Sequence, residues 1–288
     1  MQIPSHLRTD LRTRLLASLG AALPAVLALG LGAGVTAHAL ASPSVGSGAA
    51  LHQDDPKPDK REAVKELCAK LKTHLKERGK EDREAIAVID LLVSTEFPAS
   101  GPKDRETIVK ALGDAFKERR KPTAEGVRDN QIFLSAAIAL GQCGPECVAV
   151  LVPWVGHKDH RDDLQLQRVL ILSLGKSKDK SAVKPLTDLL PHHQATVQAA
   201  ASEALVNFAH LPLADRKEIF KAVLDQITTI KGQIDTDPNN TTERERYDAV
   251  RAPMRSVLQA MSKQDFGEPS EWRAWWNNNK AKDWDNMS

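Results

Sequence analysis

Between Val127 and His210 the apolar residues recur three and four positions apart, and the whole pattern then repeats. Ile132, Ser135, Ala136, Ala139, Leu140 and Gly141 match Leu166, Val169, Leu170, Ser173, Leu174 and Gly175, 34 residues on. These match Val197, Ala200, Ala201, Ala204, Leu205 and Val206, a further 31 residues on. The segments between them match too: Val148, Leu151, Trp154, Val155 and His157 fall on Val183, Leu186, Leu189, Leu190 and His192 at an offset of 35. Such spacing draws one apolar stripe along a helix. A fixed period spanning two helices marks a stacked helical array. Ala136, Ala139, Ala200 and Ala204 let neighbouring helices approach closely. Gly141 and Gly175 stand where each second helix should end, and are expected to take the left-handed turn there. Pro185 suits a first helical turn. Pro153 should kink or end its helix.

The flanks continue the design. Arg61 to Arg78 reads as a helix with Val64, Leu67, Leu71 and Leu75 inward, ended by Gly79. Lys80 to Thr95 reads as its partner, with Ile86, Ile89, Leu92 and Val93 inward, and Phe97 to Pro102 as a loop. Asp104 to Arg120 is the next helix, capped by its own Asp104. It closes on Glu118, Arg119, Arg120 and Lys121, whose net positive charge suits the end of the helix dipole. Leu213 to Lys231 and Glu243 to Ser262 form the last pair, joined by a loop over Asp235 to Thr242, with Pro253 expected to kink the second. Five helix pairs result, followed by a short terminal helix.

The stretch "SAVKPLTDLLPHHQATVQAAASEALVNFA", Ser181 to Ala209, resembles a HEAT repeat of the short bacterial type also found in phycobilisome-lyase-like proteins. "NQIFLSAAIALGQCG" resembles the second helix of another unit. The likeness covers Arg105 to Leu211. It departs from the usual pattern where Gln198 follows Val197 in place of Arg, which Val127-Arg128 keeps. The resemblance implies an all-α, armadillo-type fold: a right-handed α-solenoid of about five antiparallel helix pairs.

Residues 1–41 read as a secretory leader. Arg8, Arg12 and Arg14 precede an uncharged run from Leu15 to Ala37, and Ala37-His38-Ala39 or Ala39-Leu40-Ala41 suits signal peptidase. An uncleaved anchor over residues 15–37 is the rival reading, since the run is long enough to span a bilayer. Pro24 and the four glycines within the run favour cleavage. Export to the periplasm, envelope or medium follows, with membrane contact only through an uncleaved N-terminus. Residues 42–60, with Pro43, Pro56 and Pro58, read as a disordered tether. The repeat body is assigned to 61–264 and a terminal cap to 265–288.

Charge narrows the partners. Taking the leader's three Arg and one Asp from 40 basic and 38 acidic residues leaves 37 of each. A neutral body gives no support for bulk binding to nucleic acid.

Candidate chemistry is sparse. Cys143 and Cys147 flank the turn at Gly144-Pro145, and two thiols in a tight turn can bond in an oxidising compartment. The other reading is that they and Cys68 are small apolar fillers. The CxxxC spacing is a poor match to a redox CxxC. A zinc set of Cys143, Cys147, His157 and His160 has the right ligand types at an unusual spacing, so no metal or cofactor is assigned. Asp162-Asp163 reads as a helix cap. Nucleophile motifs and phosphate loops are absent from the sequence, and no catalytic residue is assigned.

The tail is the most unusual segment. Four of five Trp fall in the last 17 residues, with Trp272, Trp275 and Trp276 at i, i+3 and i+4 on a helix that Ser270 can cap, and Trp284 beyond it. This ending resembles the C-terminal tail that accompanies HEAT-like repeats in bacterial secreted and envelope proteins. It reads either as a lid over the last unit, whose apolar face has no successor, or as an aromatic platform for sugar or peptide. Together these features describe a non-enzymatic scaffold that binds another protein or peptide. A lyase-like accessory enzyme and a carbohydrate binder are the alternatives.

Overall fold

The computed structural model describes residues 57–120 and 129–287, and these contain no β-strand. The expected leader and the greater part of the expected tether lie outside the described residues, as does Val127-Arg128. Helices α1 (Glu62–Lys76) and α2 (Asp82–Leu91) open the body. A π-helical turn, Leu92–Glu96, and a last turn, Phe97–Ala99, extend α2. Then come α3 (Pro102–Asp114), α4 (Gln131–Leu140), the short α5 (Val148–Leu151), α6 (Leu164–Lys176), the short α7 (Val183–Thr187) and α8 (Ala195–Leu205). The long α9 (Leu213–Thr236) and α10 (Thr241–Ser262) precede α11 (Pro269–Asn279).

Helices α2, α4, α6, α8 and α10 each pack on the next, and α1 packs on α3 as α3 does on α5. The apolar stripes meet between them. Leu140, Leu174 and Leu205, equivalent in the three central units, are all fully buried. So are Ile132, Leu166, Leu151 and Leu186. Full burial of each such side chain stabilises the fold by about 1.5–3 kcal/mol before ordering costs.

Gly141 and Gly175 do a different job from the one expected. Gly141 has φ −61° and Gly175 lies within α6, so neither makes a left-handed turn. They permit close helix approach. A methyl group on Gly141 would lie 2.9 Å from the Ser173 Oγ, and one on Gly175 would lie 2.7 Å from the Ala204 Cα. Ser173 and Ala204 are themselves equivalent positions, so one contact recurs between α4 and α6 and between α6 and α8. The left-handed residues after α6 and α10 are Lys178 and Lys263.

A second recurrent contact involves the Gln that follows the first stripe residue. Gln167 of α6 donates to the His160 carbonyl at 3.1 Å and accepts from the Gly156 N–H at 2.7 Å. Gln198 of α8, the residue standing in place of Arg, donates to the Leu190 carbonyl. Each buried amide thus ties a second helix to the turn before it.

Other boundaries shift for local reasons. Phe97–Ala99 is helical, so the expected loop shrinks to Ser100 and Gly101. The helix after it starts at Pro102, and Asp104 does not cap it. The Asp59 carboxylate accepts from the Lys103 and Asp104 N–H groups at 2.9 and 3.1 Å. The Asp104 carboxylate instead accepts from Lys60 and Arg61 N–H, both at 2.9 Å, at the start of α1. With Pro58 also accepting from Gly101 N–H, residues 57–60 belong to the folded body and not to a tether. Helix α3 ends in a 3₁₀ turn at Ala115–Lys117, and the chain is extended at Glu118. Arg120 is therefore no dipole partner; it folds back to make a bidentate pair with Asp82 at 2.7 and 3.2 Å. Pro153 ends α5 in a 3₁₀ turn, as expected, and Pro185 sits in the first turns of α7. Helix α9 outlasts the expected Lys231, held by the Lys231–Asp235 pair, and α10 runs on through Pro253.

Candidate functional site

The terminal aromatic cluster is the most densely built feature outside the repeats. Pro269 starts α11, where its missing N–H costs nothing. Glu268 and Glu271 form a capping box, so Glu268 and not Ser270 caps the helix. The i, i+3, i+4 spacing then turns Trp272, Trp275 and Trp276 to one side, against α9. Phe220 of α9 is the hub: its ring centroid lies 5.9, 5.5, 5.4 and 5.2 Å from those of Trp272, Trp275, Trp276 and Trp284. Trp272 and Trp284 are buried in the core, and Trp275 and Trp276 are partly buried against it. These centroid distances suit offset and edge-to-face aromatic packing.

Polar bonds fasten the cluster. The Trp284 indole N–H donates to the Asn279 carbonyl at 2.9 Å. Buried Arg216 donates to the carbonyls of Leu211 and Met261 and, at 2.6 Å, to both Asp285 oxygens. Arg273 of α11 pairs with Asp225 of α9 at 2.9 Å. Burial opposes the Asp225 charge, but hydrogen bonds from Lys221 and Arg273 hold its carboxyl below the usual range. Buried rings are thus engaged with Phe220 and one another, and the tail is joined to the last two long helices through Arg216.

Cys143 precedes a 3₁₀ turn, Gly144–Cys147, which opens on Gly144 at φ +63° and ends on Cys147. Both are buried free thiols, as Cys68 is a partly buried one. Burial, then the neighbouring Cys147 for Cys143, pushes both thiols up to about 12, and burial and the Asp104 charge push Cys68 up to about 11. At neutral pH all three stay protonated and are poor nucleophiles.

His157 and His160 pack against Trp154. His160 is buried, with Nε2 2.8 Å from the Phe116 carbonyl oxygen, and its ring forms a triangle with those of Trp154 and His157, at centroid distances of 5.7 Å to Trp154 and 6.3 Å to His157, with Trp154 and His157 4.7 Å apart. Among the described residues no three His, Cys, Asp or Glu side chains gather as metal ligands would. His192 and His193 stack at 4.3 Å, and burial, then His193, lowers the His192 pKa.

A groove of about 620 Å³ opens beside Arg120, Asn130, Phe133, His160 and Asp163. Sequence reading missed it, because it forms only where Arg120 folds back. Asp163 caps α6 through the Leu166 N–H at 2.9 Å and accepts from Asn130 at 2.8 Å, while Arg120 holds Asp82 through Nε and Nη2 and leaves its buried Nη1 without a hydrogen-bond partner. The chain matches no protein-family model, no curated protein and no solved structure.

Proposed function

We propose that this chain is an exported, non-enzymatic interaction module built on a HEAT-like α-solenoid, which binds another protein or peptide. One observation carries the reading: the Gly141–Ser173 contact returns as Gly175–Ala204 one unit on. A contact repeated at the sequence period is what a nearest-neighbour stack needs. Such a stack offers a long surface of side chains and, among the described residues, no pocket where acid, base and nucleophile converge. The Trp tail acts as its lid, covering the apolar side of α9 through Phe220, and the leader directs the chain out of the cytoplasm.

Affinity isolation of the tagged full chain from cell-envelope extract tests the reading, followed by titration of the recovered protein against purified chain. Saturable binding at fixed stoichiometry is expected. Retention of the chain in the cytoplasm, or recovery of small ligands alone, contradicts it. The sugar-platform alternative would need a free indole face; Trp272 and Trp284 have theirs against Phe220 and its neighbours.

A further inference from the structure

The solvent side of the central helices carries an apolar row. Leu91 of α2 and Ile138 of α4 are the most exposed large apolar residues described, at 49% and 45%. Leu172 of α6, half-buried, is the equivalent of Ile138 in the 34-residue repeat. Leu91 is equivalent by burial: Ala85, Ile89, Leu92 and Val93 repeat the buried set Ile132, Ala136, Ala139 and Leu140. Helices α4 and α6 lie side by side in parallel, joined at their starts by Asn130–Asp163 and at their ends by Gly141–Ser173. Leu91, Ile138 and Leu172 therefore form a line across three adjacent helices, spaced by about 8–10 Å between helix axes.

The middle helix of the row is uncharged: α4 from Gln131 to Leu140 holds no Asp, Glu, Lys or Arg, although its Gln131 and Ile138 face solvent. An uncharged apolar centre with charges at its edges is the composition of an interface core and rim. The edges differ in sign. On α2, exposed Asp90 stands beside Leu91; on α6, exposed Lys176 lies one turn beyond Leu172, and Arg168 lies one turn before it, paired with Glu203 at 2.5 Å.

We propose that this row is the contact surface between two copies of the chain, related by a two-fold axis running along α4. That operation lays Ile138 on Ile138 and Leu91 on Leu172. It also brings the acidic edge of α2 over the basic edge of α6, twice. A face that pairs apolar with apolar and acidic with basic under its own two-fold is what an isologous contact requires. The proposal rests on the interaction-module reading only in using the side-chain surface of the same helix stack.

Sedimentation velocity of the full chain, from nanomolar to high micromolar, tests it. A concentration-dependent dimer is expected. Ile138→Asp and the milder Ile138→Ser should leave a monomer with an unchanged thermal melt. Asp90→Lys should weaken the dimer by at least about tenfold, and Asp90→Lys with Lys176→Asp should restore it. A monomer at every concentration overturns the proposal, whether the row is then covered by another protein or by another segment of this chain. A dimer indifferent to both Ile138 variants overturns it as well. Another protein recovered on a monomeric chain would sink the dimer and leave the module standing.

Discussion

Gly175 of α6 lies against Ala204 of α8 so closely that a methyl group in place of its hydrogen would come within 2.7 Å of the Ala204 Cα and 2.8 Å of its carbonyl oxygen. Backbone cannot turn aside as a side chain can. Gly175→Ala should therefore destabilise the protein by about 1–3 kcal/mol, the cost of overpacking a well-filled interior. Gly232, inside α9 with nothing within 4 Å of an added methyl, is the control. There Gly→Ala should stabilise by about 0.5–1 kcal/mol, because glycine loses more freedom on folding. Urea denaturation of the two variants reads both signs.

The Asp59 carboxylate caps the first turn of α3, and the Asp104 carboxylate of α3 in return holds the Lys60 and Arg61 N–H groups just ahead of α1. Asp59→Ala should cost about 0.5–2 kcal/mol, as loss of a cap does, and Asp104→Ala a similar amount. The double variant should cost less than the sum, because the two carboxylates dock one segment. A double-mutant cycle on thermal melts measures the coupling.

Trp272 is the buried anchor of the tail. Trp272→Ala should cost about 3–5 kcal/mol, as large aromatic truncations in cores do. Trp276→Ala, at a partly exposed position, should cost less. If the order is reversed, the packing around Phe220 is wrong.

Stability should fall in alkali. Cys143 and Cys147 titrate near 9.0 in an ordinary setting and near 12 when buried in the folded chain. Between those values the unfolded chain holds fewer protons than the folded one, so stability falls as pH rises. It is unaffected by these thiols below about pH 9. Melts from pH 8 upward should show the decline, and Cys143→Ala with Cys147→Ala should flatten it. In the native state at pH 8 both thiols should react with a disulfide reagent only on opening.

Periodicity made the helices and their inward faces readable: Leu140, Leu174 and Leu205 are buried as their spacing requires. What escaped was whatever depends on a partner distant in sequence. Gly141 and Gly175 look like helix ends from within one helix; only Ser173 and Ala204, each in the next repeat unit, explain them. Asp104 reads as the cap of its own helix, but that helix starts two residues earlier, at Pro102, so Asp59 caps it and Asp104 bonds Lys60 and Arg61 instead. Arg120 looked like a dipole partner because its pairing with Asp82 needs the chain to reverse after Lys117. In the tail the Trp spacing was legible, and the choice of Phe220 as hub was not.

Spin labels at Gln131, Gln165 and Thr196, equivalent exposed residues at the starts of α4, α6 and α8, test the row of helices directly. Pulsed EPR on the 131/165 and 131/196 pairs should give a second separation about twice the first, near 20 Å against 10 Å between helix axes. Equal separations would mean that the helices gather around one centre, and the stacked arrangement would be wrong.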